Sequence, residues 1–413
     1  MVNQQLLQVL QQAGNDSAGE LRIQCSDRSI LELNHVAVVC SRLGRSAQLH
    51  RHIGKVLASS AMRCREQRSR WLVARKSAIA PWISRASELF RVPITWLAIN
   101  EPADMMVQYD GTLPRDDAIC RDSVVVFLAD QVEAAYVRRG GMIEASLERR
   151  LRCEDRTSIQ VAVTPSRRCA GKSLIQLGAI GRYWQSDEVV DDSGSKIRVA
   201  DEDWTRTRGE WLIHCTRACQ QNWPDETMQQ YRDALLIGER DAMNRGPWDA
   251  LTRILRSGRL VASATASHRK QPVVCFSALP LQQLLTKRCF RPHLGRWDYE
   301  PFGIAVRLKA AQKIGIRPVI YGEPCQRSEL PKAEQYRFHP VGTTVDWREE
   351  NEWRSCRNVN LREFHPSDVR VFAAMEQSVL RDRIPNVPWR VTSGLIDAND
   401  HQKEGSHVKS SKN

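Results

Sequence analysis

The stretch His35–Ala61, HVAVVCSRLGRSAQLHRHIGKVLASSA, decides the fold of the first half of the chain. Its opening residues, HVAVV, form a short, continuous apolar run, which is typical of a strand buried on both faces of a sheet. A polar turn follows, and residues 46–61 have the length and composition of a helix. A strand, a turn and a helix in this order predict one βα unit of a parallel sheet.

Further apolar runs and another helical segment, Trp82–Phe90, follow in the first half of the chain. Because strands alternate with helices, we predict a Rossmann-like α/β domain over residues 1–186, with a parallel sheet that is covered on both faces. The additional predicted strands are Ile94–Ile99 (ITWLAI), Val124–Leu128 (VVVFL) and Ile159–Val163 (IQVAV).

The second half of the chain mixes strands and short helices less regularly, which predicts an α+β domain over residues 204–391. Its best-marked helix begins at Pro247 and stops at Gly258, since proline suits a first helical turn and glycine suits a helix end. The acidic residues 187–203 predict a linker, and the polar residues 392–413 predict a disordered tail. The predicted strands are Trp211–Thr216, Val273–Phe276, Phe302–Val306 and Pro318–Tyr321.

Composition narrows the class of protein. With 413 residues, of which 42% are hydrophobic and 26% charged, the chain can bury a large core, and this excludes wholesale disorder. No apolar run of roughly 18 residues and no signal-peptide pattern occurs, so we expect a cytoplasmic protein without a membrane span. The 12 cysteines are scattered and form no C-x-x-C pair, which favours reduced thiols and no metal site.

Basic residues outnumber acidic ones, since 61 Lys and Arg face 48 Asp and Glu and give a net charge of +13. This excess favours a polyanionic partner such as nucleic acid, a phosphate-bearing ligand, or simply a basic solvated surface. The stretch from Arg63 to Lys76 carries six basic residues and one glutamate. It could follow a phosphate backbone or form a solvated helix face.

Two loops after predicted strands carry residues that suit a phosphate. Ser41 and Arg42 follow the first strand and lead into a helix, whose free N–H groups and dipole favour an anion. Gly140 and Gly141 follow the predicted strand Val124–Leu128 and precede another helix. Ligands of open parallel sheets bind at the carboxyl ends of the strands, so both loops are candidate nucleotide or nucleic-acid sites. The Gly-Gly turn could also merely connect a strand to a helix.

Through this Gly-Gly turn, the N-terminal domain resembles Rossmann-like domains of the DprA/LOG type. The resemblance implies that Gly140 and Gly141 bind a nucleotide phosphate at the start of a helix.

Four short segments of the second half form a pattern found in a known family. His214-Cys215-Thr216 ends a predicted strand, and a helix that ends in Ile254–Leu260 (ILRSGRL) follows. Val273–Ser277 (VVCFS) and Glu350–Arg354 (ENEWR) come later in the chain. With these segments, roughly residues 204–375 resemble ADP-ribosyltransferase-fold proteins, in particular DarT-like toxins and abortive-infection proteins of the AbiGi type. The resemblance implies an enzyme that uses NAD as its substrate.

The resemblance also implies roles for single residues. His214 and Thr216 would line the NAD pocket, and Glu352 would be the catalytic carboxylate, which stabilises the sugar cation that forms when the nicotinamide–ribose bond breaks. Glu350 would share a strand face with Glu352 and is the alternative carboxylate. Arg354 on that face would pair with a phosphate or with either glutamate. We therefore expect His214 and Glu352 to line one cleft.

Tyr299 lies in the aromatic segment Trp297–Ile304 and could stack on nicotinamide or close the core. Together the motifs favour an NAD-dependent ADP-ribosyltransferase or NAD glycohydrolase that acts as a bacterial defence or toxin effector. Two alternatives stay open. One is a non-catalytic nucleotide- or nucleic-acid-binding protein whose second half is a scaffold, and the other is a phosphoribohydrolase that acts through Gly140–Glu144. The sequence leaves the acceptor and the oligomeric state undetermined.

Overall fold

A computed structural model of the chain divides into two compact units. The N-terminal unit comprises residues 1–189 and 227–243, and the C-terminal unit comprises residues 190–226 and 244–413. No helix among the described residues is long and apolar enough to cross a membrane. The structure describes residues 21–109, 120–153, 158–163, 169–183, 197–198, 202–264, 271–291, 296–341, 347–374, 386–393 and 396–397.

The α-helices of these described ranges are short to medium in length. Numbered along the chain, they are α1 (Ala47–Glu66), α2 (Ala80–Phe90), α3 (Arg121–Leu128), α4 (Met142–Leu151), α5 (Gly171–Gln176), α6 (Asp203–Arg206), α7 (Met228–Leu236), α8 (Pro247–Ser257), α9 (Leu281–Thr286) and α10 (Leu308–Lys313).

The N-terminal unit is built on one sheet of eight strands in the order β1-β5-β4-β3-β2-β6-β7-β8. Neighbouring strands run parallel except for β1, which is antiparallel to β5. The predicted α/β fold with a parallel sheet is thereby confirmed. The strands are β1 (Leu21–Cys25), β2 (His35–Cys40), β3 (Arg70–Ala74), β4 (Ile94–Ile99), β5 (Met105–Tyr109), β6 (Gln131–Tyr136), β7 (Ser158–Val163) and β8 (Ile180–Tyr183).

Helices cover both faces of this sheet, as the all-apolar β2 predicts. Val36 and Val38 belong to a core shared with α1 and α2, whereas Ala37 and Val39 belong to a core shared with α3 and α4. Successive side chains of a strand point to opposite faces, so a strand buried on both sides is apolar on both, apart from a buried polar group that finds a partner. The run HVAVV is apolar for this reason.

One predicted strand is wrong. Val124–Leu128 lies within helix α3, which begins after Cys120 and is capped by the hydrogen bond from the Ser123 N–H to the Cys120 Sγ. All five residues of the run are buried, so the apolar pattern lacks the period that separates a helix from a strand. The strand that follows is β6, whose buried Glu133 interrupts its apolar sequence.

Helix α7 packs within the N-terminal unit, although residues 204–391 are predicted from sequence as a second domain. Its Tyr231 hydroxyl lies 2.8 Å from Nδ1 of His50 on α1. A Cβ atom at Gly54 of α1 would lie only 2.6 Å from the carbonyl oxygen of Leu235, so glycine permits the close approach of the two helices.

The basic stretch from Arg63 to Lys76 does not form one helix face. It passes from the end of α1 through a turn into β3, which ends at Ala74. Arg63 forms an ion pair with the buried Glu133, with 2.6 Å between nitrogen and oxygen. The predicted continuous basic track is therefore divided between the two ends of a strand.

The C-terminal unit contains a seven-stranded sheet in the order β16-β19-β12-β10-β15-β21-β22. Its neighbours are antiparallel, apart from the parallel pair β21–β22. The strands of this sheet are β10 (Trp211–Cys215), β12 (Val274–Ser277), β15 (Phe302–Arg307), β16 (Arg317–Pro318), β19 (Glu352–Ser355), β21 (Val369–Ala373) and β22 (Arg390–Thr392).

Four two-stranded pairs complete the described part of this unit. The predicted strand Pro318–Tyr321 is split, because Val319 separates β16 from β17. The pair β9–β23 joins the predicted linker to the predicted tail, and most other residues of those two segments lie outside the described ranges. The pairs are β9 (Ile197–Arg198) with β23 (Ile396–Asp397), β11 (Arg259–Leu260) with β20 (Val359–Asn360), β13 (Phe290–Arg291) with β14 (Arg296–Trp297), and β17 (Ile320–Gly322) with β18 (Phe338–Pro340).

Candidate functional site

The parallel sheet of the N-terminal unit changes its winding direction between β2 and β6. From β2 the chain continues to β3 on one side, whereas β6 adds to the other side of β2. Such a switch point opens a crevice at the carboxyl ends of the two strands, where open α/β sheets bind ligands.

The two predicted phosphate loops meet at this crevice. The backbone N–H of Ser41, just after β2, donates to the carbonyl of Tyr136 at the end of β6 at 2.8 Å. The Ser41 hydroxyl accepts a hydrogen bond from the Arg138 N–H at 3.0 Å. Gly140 has φ +71°, a conformation that favours glycine. The loops lie together because β6, the strand before the Gly-Gly turn, pairs with β2. The segment 124–128, which was predicted to be that strand, is a helix.

The Gly-Gly turn already holds a carboxylate from its own chain. Glu144, which is 8% exposed, accepts a hydrogen bond from the Gly140 N–H at 2.5 Å and another from the Ser173 hydroxyl at 3.2 Å. The Gly141 N–H donates to the Arg138 carbonyl at 3.2 Å. Both glycine amides, predicted to face a phosphate, are therefore bonded within the protein.

Exposed arginines lie in both loops that follow the strands at the switch point. Arg42 and Arg45 follow β2, and Arg138 and Arg139 follow β6. Among the residues that the structure describes, none of these four side chains forms an ion pair or a hydrogen bond. Only Arg42 is predicted from sequence as a site residue. The other three could have been found by asking which loops follow neighbouring strands.

In the C-terminal unit, the strand ladder separates the two residues expected to line one cleft. Ile213 on β10 pairs with Ser277 on β12, and Ser277 pairs with Glu352 on β19. Paired residues share a sheet face and successive residues alternate, so His214 lies on the face opposite Glu352. The imidazole packs on that opposite face against the ring of Phe276, with 5.6 Å between the ring centroids. The expectation of a direct His214–Glu352 cleft is wrong.

The imidazole of His214 is fixed beside its strand. Its Nδ1 lies 2.8 Å from the carbonyl oxygen of Cys275, so Nδ1 carries the hydrogen and donates it. Burial lowers the pKa of His214 to about 4, which keeps the imidazole neutral near pH 7.

Glu352 is held by the arginine two residues away. Arg354 donates to both Glu352 oxygens, at 3.0 Å and 2.8 Å, and also to the carbonyls of Tyr336 and Phe338. Its side chain is 0% exposed. Arg354 pairs with a glutamate, which is one of the two predicted alternatives. The other alternative, a phosphate contact, stays a prediction, although the guanidinium is buried.

Glu350 does not extend the strand that carries Glu352. It ends the 3-10 turn Trp347–Glu350, and Asn351 between the two glutamates has φ +47°. The shared strand face predicted for the two carboxylates is therefore wrong. The charge of Glu352 nevertheless acts on Glu350. Burial and this charge raise the pKa of Glu350, while the hydrogen bond from Tyr299 and the charge of Arg217 lower it.

Two tyrosines hold the segment that carries these carboxylates. The Tyr299 hydroxyl donates to Oε1 of Glu350 at 2.6 Å. Tyr321 on β17 hydrogen-bonds the backbone of Glu352, and burial raises its pKa to about 12. Tyr299 thus contacts a candidate catalytic carboxylate. The predicted stacking of Tyr299 on nicotinamide stays a prediction, and Tyr321 is missed by sequence reasoning because no short motif contains it.

The exposed Arg217 is a second residue that sequence reasoning misses. It lies two residues beyond β10, and its charge acts on His214, Tyr299 and Glu350. The positive charge of Arg217 therefore lowers the pKa of both His214 and Glu350. Its position just after a predicted strand end was the available signal.

The hydroxyl of Thr216 is bonded within the C-terminal unit. Its side chain is buried, and its hydroxyl lies 2.8 Å from the carbonyl of Pro247 and 3.0 Å from that of Phe302. These contacts attach the start of α8 to the sheet, and the predicted role of Thr216 in lining an NAD pocket stays a prediction. Within the described ranges, no group of three or more His, Cys, Asp or Glu could hold a metal ion.

Comparisons with known proteins add little to this geometry. No protein-family profile and no curated protein matches the sequence. Among solved structures, part of the chain is similar to DNA processing protein A (DprA) from Streptococcus pneumoniae, with 14% identity and a TM-score of 0.28. The match covers 39% of this chain and 62% of that protein, which is less than two thirds of its length. The function must therefore be argued from the two sites themselves.

Proposed function

We propose that the C-terminal unit binds NAD and cleaves its nicotinamide–ribose bond, passing ADP-ribose to an acceptor or to water. The observation that carries this proposal is the pair of neighbouring glutamates, Glu350 and Glu352, in different settings. Glu352 is ion-paired with Arg354, whereas Glu350 accepts a hydrogen bond from Tyr299. Pairs of carboxylates in unlike environments are typical of enzymes that break glycosidic bonds.

The chemistry asks for negative charge beside a sugar that becomes positive. As the bond to nicotinamide lengthens, positive charge develops on the ribose, and a carboxylate on its face stabilises that charge. Glu350 is the better candidate of the two, because both oxygens of Glu352 are already engaged by Arg354. The exposed Arg217, whose charge acts on Glu350, would attract the pyrophosphate of the same substrate.

The test is to incubate the full chain with labelled NAD, with and without DNA, RNA or protein, and to measure nicotinamide release and label transfer. Glu350→Gln should lower the rate by roughly 100-fold or more, the order found when one stabilising group is removed. Glu349→Gln is the matched control, because Glu349 is exposed and pairs with Lys287. No NAD consumption by the unmodified chain at saturating NAD would contradict the proposal.

A second candidate function belongs to the N-terminal unit, where we propose binding of a nucleotide or a nucleic acid without chemistry. The supporting observation is the group of four exposed arginines at the switch point, none of which has an ion-pair partner among the described residues. Oligonucleotide affinity that falls steeply with salt, together with no NAD consumption, would favour this function over the first.

A further inference from the structure

The Gly-Gly turn of the N-terminal unit has the shape of an anion site, but an internal anion occupies it. Glu144 is 8% exposed, and its two oxygens accept hydrogen bonds from the Gly140 N–H and from the Ser173 hydroxyl. A phosphate at the turn would need the same Gly140 N–H and would lie against the carboxylate. Two anions that share one donor repel each other, and burial of the Glu144 carboxylate makes this repulsion stronger than in bulk water.

The exposed arginines beside the turn offer a different kind of anion site. Arg42 and Arg45 follow β2, and Arg138 and Arg139 follow the adjacent strand β6. Neighbouring strands are about 4.8 Å apart, so the two loops that carry these four exposed arginines begin side by side. Guanidinium groups bind the oxygens of phosphate in a fork geometry without needing the backbone of a tight turn.

We infer that Glu144 excludes terminal phosphate groups from the Gly-Gly turn, and that the N-terminal unit therefore selects the phosphodiester backbone of a nucleic acid over mononucleotides. This inference rests on the second proposed function. A phosphodiester chain offers successive single charges, which several exposed arginines can meet at once. A mononucleotide offers a single phosphate, which meets fewer of these arginines at once and gains no amide contact from the turn that Glu144 fills.

The experiment compares the full chain with its Glu144→Ala and Glu144→Gln variants. The probes are inorganic phosphate, adenosine monophosphate and a single-stranded oligonucleotide of about 12 nucleotides. The oligonucleotide is tested both as DNA and as RNA. For Glu144→Ala we expect phosphate and adenosine monophosphate to bind at least about tenfold more tightly than to the unmodified chain, because the Gly140 N–H becomes free and the repulsion disappears. Oligonucleotide affinity should change less than about threefold.

Glu144→Gln keeps the shape of the side chain and removes only its charge, so it decides the question if the alanine variant does not fold. It should show a smaller gain in phosphate affinity, because its amide oxygen still accepts from Gly140. The matched control is Glu148→Ala, one turn further along α4, where Glu148 pairs with Arg152 on the surface. This control should leave phosphate affinity unchanged.

Equal phosphate affinity in the unmodified chain and in both Glu144 variants would overturn the inference, as would tight binding of adenosine monophosphate to the unmodified chain. Failure of the second proposed function has a different signature, since the unmodified chain would then bind no oligonucleotide even at low salt. The phosphate measurements on the variants would still decide the role of Glu144 in that case.

Discussion

The two candidate sites of this protein use arginine and glutamate in opposite ways. At the switch point of the N-terminal unit, Glu144 is buried and bonded, and the arginines are exposed. In the C-terminal unit, Arg354 is completely buried and bonded, and Glu350 is only partly buried. The charge that stays unpaired is the charge a ligand meets. The first site therefore suits an anion, and the second suits a group that becomes positive.

The largest effect is expected from breaking the buried pair of the C-terminal unit. Glu352→Gln removes the charge opposite Arg354, whose side chain is 0% exposed. Loss of one partner of a buried ion pair costs about 3–5 kcal/mol, because the other charge stays buried and uncompensated. Denaturant unfolding, followed by a probe in the C-terminal unit, measures this loss of unfolding free energy.

The corresponding change in the other site supplies the control. Arg138 is exposed, so Arg138→Ala should change the unfolding free energy by less than about 0.5 kcal/mol. If Glu352→Gln proved as harmless as Arg138→Ala, the distinction between a buried and an exposed arginine would not hold. Glu352 would then be free to act as a catalytic carboxylate, as the resemblance implies.

A smaller effect is expected from the exposed arginines of the N-terminal unit. The double substitution of Arg138 and Arg139 by alanine should weaken oligonucleotide binding by roughly tenfold or more at low salt. The slope of log affinity against log salt should flatten by about 1.4, since each phosphate contact on a single strand contributes about 0.7. Titrations by fluorescence anisotropy at several salt concentrations give both quantities.

Arg65→Ala is the matched control for this prediction. Arg65 is also exposed, but it lies at the end of α1, just before β3. It is therefore at the amino ends of the parallel strands, whereas the switch-point loops are at their carboxyl ends. An equal loss of binding free energy per charge removed in Arg65→Ala would show that general surface charge, and not the switch point, binds the oligonucleotide.

The smallest effect concerns the pH dependence of NAD cleavage. Burial and Glu352 raise the pKa of Glu350, so activity that needs the ionised carboxylate should fall as the pH falls through that raised value. Tyr299→Phe removes a donor to the ionised form and should move this acid limb to higher pH. Profiles of kcat/KM against pH measure the shift. Tyr321→Phe should leave the limb in place, since Tyr321 contacts the backbone of Glu352.

Sequence patterns predicted the strands of the N-terminal unit well where the apolar runs were short and contained β-branched residues. The runs His35–Val39, Ile94–Ile99 and Ile159–Val163 are all strands of the parallel sheet. Val124–Leu128 has the same composition and is a helix, because total burial removes the polar positions that would reveal its period. The strand β6 was missed because Glu133, which pairs with Arg63, interrupts its apolar pattern.

The candidate sites were predicted only as far as they follow strand ends. Ser41 and Gly140 were each predicted to lie in a loop after a parallel strand, but the strand assigned to Gly140 was wrong, and only the structure brings the two loops together. His214 and Glu352 were expected to meet, and the register of three antiparallel strands puts them on opposite faces. Nothing in a single sequence reports such a register when the strands are far apart along the chain.

The sequence by itself determined the βα order of the first half, the excess of positive charge and the loops that follow the first strands. These properties depend on residues close together in the chain, whose hydrophobic pattern and turn chemistry act locally. Only the tertiary structure decided which charges are neutralised, because ion pairs and ladders join distant residues, such as Arg63 with Glu133 or Ser277 with Glu352. Burial then fixed which charged groups stay available to a ligand, since a buried charge must find a partner and an exposed one need not.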